Sequence, residues 1–194
     1  VADKVIAADT ESWLLIPAVE VLGEPFGIGV AGTDPIGALS AALVNEYLGL
    51  VDRASVGYSG AGGNVTESVK DDSSLASTSS ETDSDKAINA SGNSVVPTSQ
   101  NYDAQMTLFR DKLSAAEDSN FNLANDAVRA KGVRYLAFRR IGFAWNSAAV
   151  AGQKYNAFYV ETDSPIDQYG DGANQTIGAT FITKSVATID AEIV

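Results

Sequence analysis

The chain has 194 residues, 45% of them hydrophobic, with no cysteine and no histidine, and its 25 acidic against 13 basic residues give a net charge of −12. Without Cys or His there is no disulfide framework, no thiolate or imidazole metal site and no Ser-His-Asp triad, and so acidic a surface is a poor grip for nucleic acid, which is held by cations that displace its counterions. No apolar run is long enough to cross a bilayer, the longest, Trp13 to Leu22, being broken by Pro17 and Glu20, and no basic segment followed by an apolar one opens the chain as a secretion signal would.

Ser12 to Leu22 reads as one strand, or as two joined at Pro17. A glycine-rich turn region, Gly23 to Gly32, comes next. A helix should follow, with Asp34 as its cap and Pro35 at its first position. Ile36, Leu39, Leu43 and Tyr47 recur at helical spacing, and Gly49 suits the residue just past the end. Val51 to Ser59 is expected as a strand. The turn Gly60-Ala61-Gly62-Gly63-Asn64 leads to Val65–Lys70, which alternates and is also expected as a strand.

Between residues 71 and 94 ten side chains are Ser or Thr and four are Asp. A segment this polar cannot bury enough surface to fold alone. It is expected as part of a long loop, about residues 71–100, either flexible or ordered by a neighbouring subunit. Asn101 to Arg110 alternates cleanly. Tyr102, Ala104, Met106 and Leu108 point one way, and Asp103, Gln105, Thr107 and Phe109 the other. A second helix is expected over Asp118 to Lys131, with Phe121, Ala124 and Val128 as its apolar stripe and Gly132 closing it. Strands are expected at Val133–Ile141, Lys154–Thr162 and Thr176–Thr188. The pattern is mainly β with one or two helices and lacks the strand-helix alternation of a doubly wound sheet.

Several motifs compete with plainer explanations. Gly27-Ile28-Gly29-Val30-Ala31-Gly32 matches the dinucleotide fingerprint G-x-G-x-x-G, and Asp52 lies about 20 residues downstream, as that fingerprint wants. Thr33-Asp34-Pro35 then intervenes and sets a carboxylate at the helix start, where a phosphate would be repelled. The glycines are therefore expected as a connector or subunit contact. Asp163, Asp167 and Asp171 lack the spacing of a calcium loop. Arg129, Lys131, Arg134, Arg139 and Arg140 place five of the basic residues within twelve positions, with no acid among them. They form either a basic patch facing acid on another subunit or the solvated charges of a helix end and strand. Asp71, Asp72, Asp83 and Asp85 of the polar loop are candidates for the acidic side of such a contact, although solvated charge is their plainer reading.

Val56-Gly57-Tyr58-Ser59, the glycine-rich turn and Val65-Thr66-Glu67-Ser68, in that order, resemble a hairpin of the major tail tube proteins of long, non-contractile-tailed phages. The polar loop, the alternating strand Tyr102 to Phe109, the helix ending Ala130-Lys131-Gly132, the strand Tyr135 to Arg140 and the hairpin around Asn156-Ala157-Phe158-Tyr159-Val160 are similar too. The resemblance covers about residues 51–190, whereas residues 23–50, with their glycines and helix, depart from it. It implies a single tail-tube domain over 1–194: a β-sandwich or partial barrel with a flanking α-helix, completed into a continuous β-barrel tube by oligomerisation. It also implies hexameric rings stacked head to tail, with a tape-measure protein, a tail terminator and distal tail proteins as partners. DNA would pass through the tube without specific binding, and there would be no catalytic residue, cofactor or metal. On this reading Asp103, Gln105 and Thr107 face the lumen. The inner tube of a contractile tail and a capsid decoration or adhesive β-sandwich are the rival readings.

Overall fold

Three strands are apolar on both faces, and they form the middle of the molecule. In the computed structural model, which describes residues 10–18, 21, 36–48, 62–79, 82–85, 94–97, 101–111, 119–169 and 174–194, β1 (Glu11–Pro17), β7 (Arg134–Ile141) and β8 (Lys154–Thr162) lie side by side. Near-continuous runs such as Trp13-Leu14-Leu15-Ile16 and Tyr135-Leu136-Ala137-Phe138 are what a strand covered on both sides requires. Around them are α1 (Ala41–Leu48), β2 (Gly63–Asn64), a 3-10 turn (Thr66–Ser68), β3 (Ser74–Thr78), β4 (Thr82–Asp85), β5 (Ser94–Pro97), β6 (Asn101–Phe109), α2 (Asn120–Arg129), β9 (Ile166–Gln168) and β10 (Thr176–Glu192). The fold is mainly β, an open antiparallel sheet ordered β2-β1-β7-β8-β10-β6-β3 with β9 also on β10, and β4 and β5 form a separate hairpin.

β10 joins two halves of the sheet. Its first residues, Thr176–Thr180, pair with β6, and its length from Phe181 to Glu192 pairs with β8 on the other edge, with bulges between Thr183 and Ala187 and between Thr188 and Ala191. β9 continues that second edge opposite Thr176–Gly178. One core lies between the central strands and the β6 half. Trp13, Leu15, Tyr135, Ala137, Phe158 and Val160 meet Leu75, Met106, Leu108, Ile177 and Phe181, with Ala124, Ala127 and Val128 of α2. The opposite face of the central strands, Leu14, Ile16, Leu136, Phe138, Tyr155 and Ala157, is covered by Val44 and Tyr47 of α1 with Ile36, Leu39 and Ile193.

The expected strands at Asn101–Arg110, Val133–Ile141 and Lys154–Thr162 are present to within a residue, and the last strand runs four residues beyond Thr188. Four expectations need correction. Val65–Lys70 is not a strand: the side chain of Asn64 accepts from the Thr66 amide at 3.1 Å, and Thr66 Oγ1 accepts from the Trp13 amide at 2.8 Å. These local bonds replace ladder bonds and curl the chain. The first helix begins at Ala41, because Ser40 accepts the first helical amides, while the Tyr155 hydroxyl binds the backbone of Ile36 and Leu39 and holds them in a non-helical turn. The polar segment holds strands: β3 pairs with β6 along its whole length, and β4 with β5. Ladder bonds need no apolar side chain, and Leu75 alone anchors β3 in the core. The second helix ends at Arg129, two residues before the turn in which Gly132 takes a positive φ of 80°. The glycine run 23–32, the cap Asp34-Pro35 and the expected strand 51–59 lie outside the described residues.

Candidate assembly surface

Residues directly opposite one another in a sheet share a face, so the register of β9-β10-β6-β3 defines its outer surface. Ala104, Met106 and Leu108 are buried, and their alternates Asp103, Gln105 and Thr107 point away from the core, as the sequence pattern requires. Opposite them stand Ser74 and Ala76 of β3, Gly178 and Thr180 of β10, and beyond these Ile166 and Gln168 of β9. On this face, along the paired stretch of β9, β6, β3 and Thr176–Thr180, Asp103 is the one charged group among the described residues; further along β10, Lys184 reaches Glu161 on the same side. Asp103 accepts a hydrogen bond from Ser74 Oγ at 3.3 Å. Phe109, on the same face, is partly covered. Gln168 lies across Gly178 so closely that a Cβ there would stand 2.9 Å from its Nε2. The surface is mostly hydroxyls, amides and small residues, with Ile166 exposed at its β9 margin. Its two lateral margins, β3 and β9, pair on one side only among the described residues, and both are largely exposed.

The basic cluster is not a free patch. Arg129 reaches Asp167 at 3.9 Å, Lys131 reaches Asp163 at 3.0 Å, and Arg134 reaches Glu161 at 3.3 Å. Glu161 also holds Lys184 at 3.1 Å. The hydrogen bond from Lys184, then its charge and the Arg134 guanidinium, keep the Glu161 carboxyl below its ordinary range. Arg139 makes a two-pronged contact with Glu11, at 2.9 and 2.6 Å, and stacks over the Trp13 ring at 5.3 Å. Arg140 departs furthest from expectation, because it is fully buried and cannot reach another subunit from this position. Strand alternation places it on the α1 face beside Phe138, where Ser12, Gln153 and the loop carbonyls of Ala144 and Ser147 accept its protons. Arg129 and Lys131, at 47% and 70% side-chain exposure, keep heads in solvent.

The acidic candidates are scattered. Asp72 pairs with Lys70 at 2.6 Å, and that hydrogen bond holds its carboxyl below the usual carboxylate range. Asp71 is exposed, and Asp83 and Asp85 lie on the β4–β5 hairpin. The acids that do meet the basic cluster, Glu11, Glu161, Asp163 and Asp167, were missed from sequence. One of them was within reach: the β7–β8 hairpin sets Arg134 directly opposite Glu161. A cleft of about 520 Å3 between Trp13, Trp145, Thr66 and Lys70 holds Arg139 and Glu11 paired to each other. Among the described residues no cluster of acidic side chains is placed to hold a metal ion, and no helix is long and apolar enough to cross a membrane.

Residues 59–194 match the family model for phage tail tube protein. The chain belongs to the phage tail tube protein family. No curated protein sequence matches it. The family places the chain in the virion tail as a structural component that assembles into a tube with other tail proteins. The match includes every strand of the outer surface but begins after β1 and α1. Those two N-terminal elements are nevertheless structural: β1 pairs with β7 over seven residues and α1 covers the second core.

Proposed function

We propose that the chain builds the hollow tail tube of a long, non-contractile-tailed phage as hexameric rings stacked head to tail, and that the outer face of β9-β10-β6-β3 lines the bore through which DNA is delivered. The observation that carries this reading is a polar sheet face whose stretch over β9, Thr176–Thr180 of β10, β6 and β3 holds a single charge, the Asp103 carboxylate, flanked by two half-paired margins. β3 of one copy pairs with β9 of the next. This contact joins different surfaces of the two copies and closes if the rotation between them completes a circle.

Such a lining suits a conduit. Cations on the wall would bind each passing phosphate through counterion release and add friction. Hydroxyls and amides with an occasional carboxylate leave a film of water and counterions between wall and duplex. The tape-measure protein occupies the same bore before DNA does, and the terminator and distal proteins cap the two ends. The β4–β5 hairpin, with Asp83 and Asp85, and the exposed heads of Arg129 and Lys131 serve contacts between rings.

The test is a density map of tubes assembled from the purified chain. It should show six-fold rings with Asp103, Gln105 and Thr107 on the inner wall. The D103R variant should assemble normally but retain double-stranded DNA in the bore at low salt. A map with Asp103 on the outside would refute the lining, and a chain that stays monomeric at every concentration would refute the tube.

A further inference from the structure

The connection between β7 and β8 is far longer than a hairpin needs. Two residues would close it, yet twelve intervene, Gly142 to Gln153, and not one of them is charged in a chain with 20% charged residues. The segment is also firmly held. The amides of Gly142 and Phe143 bond to the Thr10 carbonyl at 2.8 and 3.2 Å, and Gly152 bonds to Ile193 at 2.8 Å. Asn45 of α1 clasps both backbone groups of Ala149, at 2.9 and 2.6 Å.

From beneath, the buried Arg140 binds the carbonyls of Ala144 and Ser147, both at 2.9 Å, and packs 5.9 Å from the Phe143 ring. None of the partners shown for this guanidinium is a carboxylate, and its Nε has no hydrogen-bond partner. Burying a cation without a counter-charge is costly, and the hydrogen bonds that offset the cost also fix its partners in place. What it fixes is a loop that turns Phe143 and Val150 outward, 40% and 55% exposed.

We propose that the 142–153 loop is a preformed contact surface for a second copy of this chain, with Arg140 as the residue that sets its shape. This rests on the assembly reading above and adds a contact separate from the β3 and β9 margins. Charge selects the occupant. Every copy carries a net −12, so two copies that meet through typical surface bring carboxylates together. An uncharged loop with apolar tips lets them approach without opposing charges or stripping water from them. Nucleic acid is a poor fit, because the loop itself carries no cation, Arg140 is buried, and the flanking Lys154 is paired with Asp190 at 3.8 Å. The loop needs no ordering on contact, and that removes an entropic penalty of binding.

The absence of cysteine makes the test clean. V150C, in the full-length chain, should react with maleimide freely as a monomer and about tenfold or more slowly once assembled, as the thiol becomes covered. F143S/V150S should still fold, with some loss of Tm because the Phe143 ring packs on Arg140, yet need about tenfold more protein to assemble at a temperature well below its melting point, since two apolar tips no longer leave water. R140M should raise the same threshold. Should R140M fail to fold, the two surface variants still decide. Equal maleimide reactivity in intact tubes and in monomers, or an unchanged threshold for F143S/V150S, would overturn the proposal and leave the tube reading standing. Wild-type chain that never associates would overturn both. Protection of the V150C thiol by phosphatidylcholine vesicles but not by assembly would assign the loop to lipid instead.

Discussion

Replacing Tyr155 by Phe removes a single oxygen from the second core and leaves its ring stacking on Phe138, centroids 5.0 Å apart, intact. That oxygen donates to the Ile36 carbonyl at 2.6 Å and accepts from the Leu39 amide at 3.1 Å, and both residues are buried. Leu39 in turn accepts from the Val194 amide at 3.0 Å, so the hydroxyl fixes the turn that leads into α1 and the strand end that leans on it. Leaving one buried donor and one buried acceptor without this partner costs about 1–3 kcal/mol each, or about 2–4 kcal/mol together after partial relaxation. For a chain of this size, with ~2–4 °C per kcal/mol, Tm should fall by roughly 4–16 °C. Differential scanning calorimetry on unassembled Y155F protein measures this, and hydrogen exchange at the Leu39 amide should accelerate in step. A Tm within one degree of the wild type, with Leu39 exchange unchanged, would refute the assignment of the hydroxyl as the pin of this segment.

Two further perturbations follow from geometry and charge. A Cβ at Gly62 would stand 2.5 Å from the Leu15 carbonyl oxygen and 2.6 Å from Pro17 Cδ; G62A should therefore force β2 off β1 and lose about 1–3 kcal/mol in a urea titration, and a neutral result would mean that this corner yields freely. The folded Glu161 carboxyl is held below its ordinary 4.5 by Lys184 and Arg134, so its contribution is present above the unfolded value and disappears as pH falls through the lower folded one. E161Q should be less stable than the wild type at neutral pH, with the gap closing below about pH 4; a gap that stays constant down to pH 2 would show that the carboxylate's charge is not what matters.

The strands that were legible in the sequence are those whose side chains had to obey a period of two. β6 alternates because one face is core and the other is not, so the sequence alone separates Ala104, Met106 and Leu108 from Asp103, Gln105 and Thr107. β3 was not legible, since its hold on β6 is almost wholly backbone and its sequence looks like solvent-loving loop. The turn at Thr66 was hidden for the opposite reason: Val65-Thr66-Glu67-Ser68 alternates like a strand, but the Asn64 and Thr66 side chains compete for the backbone bonds. In the basic cluster, like charges that are neighbours along the chain are separated in space. The strand sends Arg139 and Arg140 to opposite faces, one to Glu11 and one into the core.

β10 is a single seventeen-residue length of backbone that belongs to two layers at once, laddered to β6 at one end and to β8 along the rest. Layers joined only by packed side chains can creep past each other, because each lost contact is soon replaced by the next. Here creep would drag β10 along both ladders and break hydrogen bonds in each. Shear between the layers is thus resisted by covalent bonds running through both, while the two bulges concentrate what bending there is at defined points. Stiffness under load is therefore a property of the individual subunit, present before any neighbour is added.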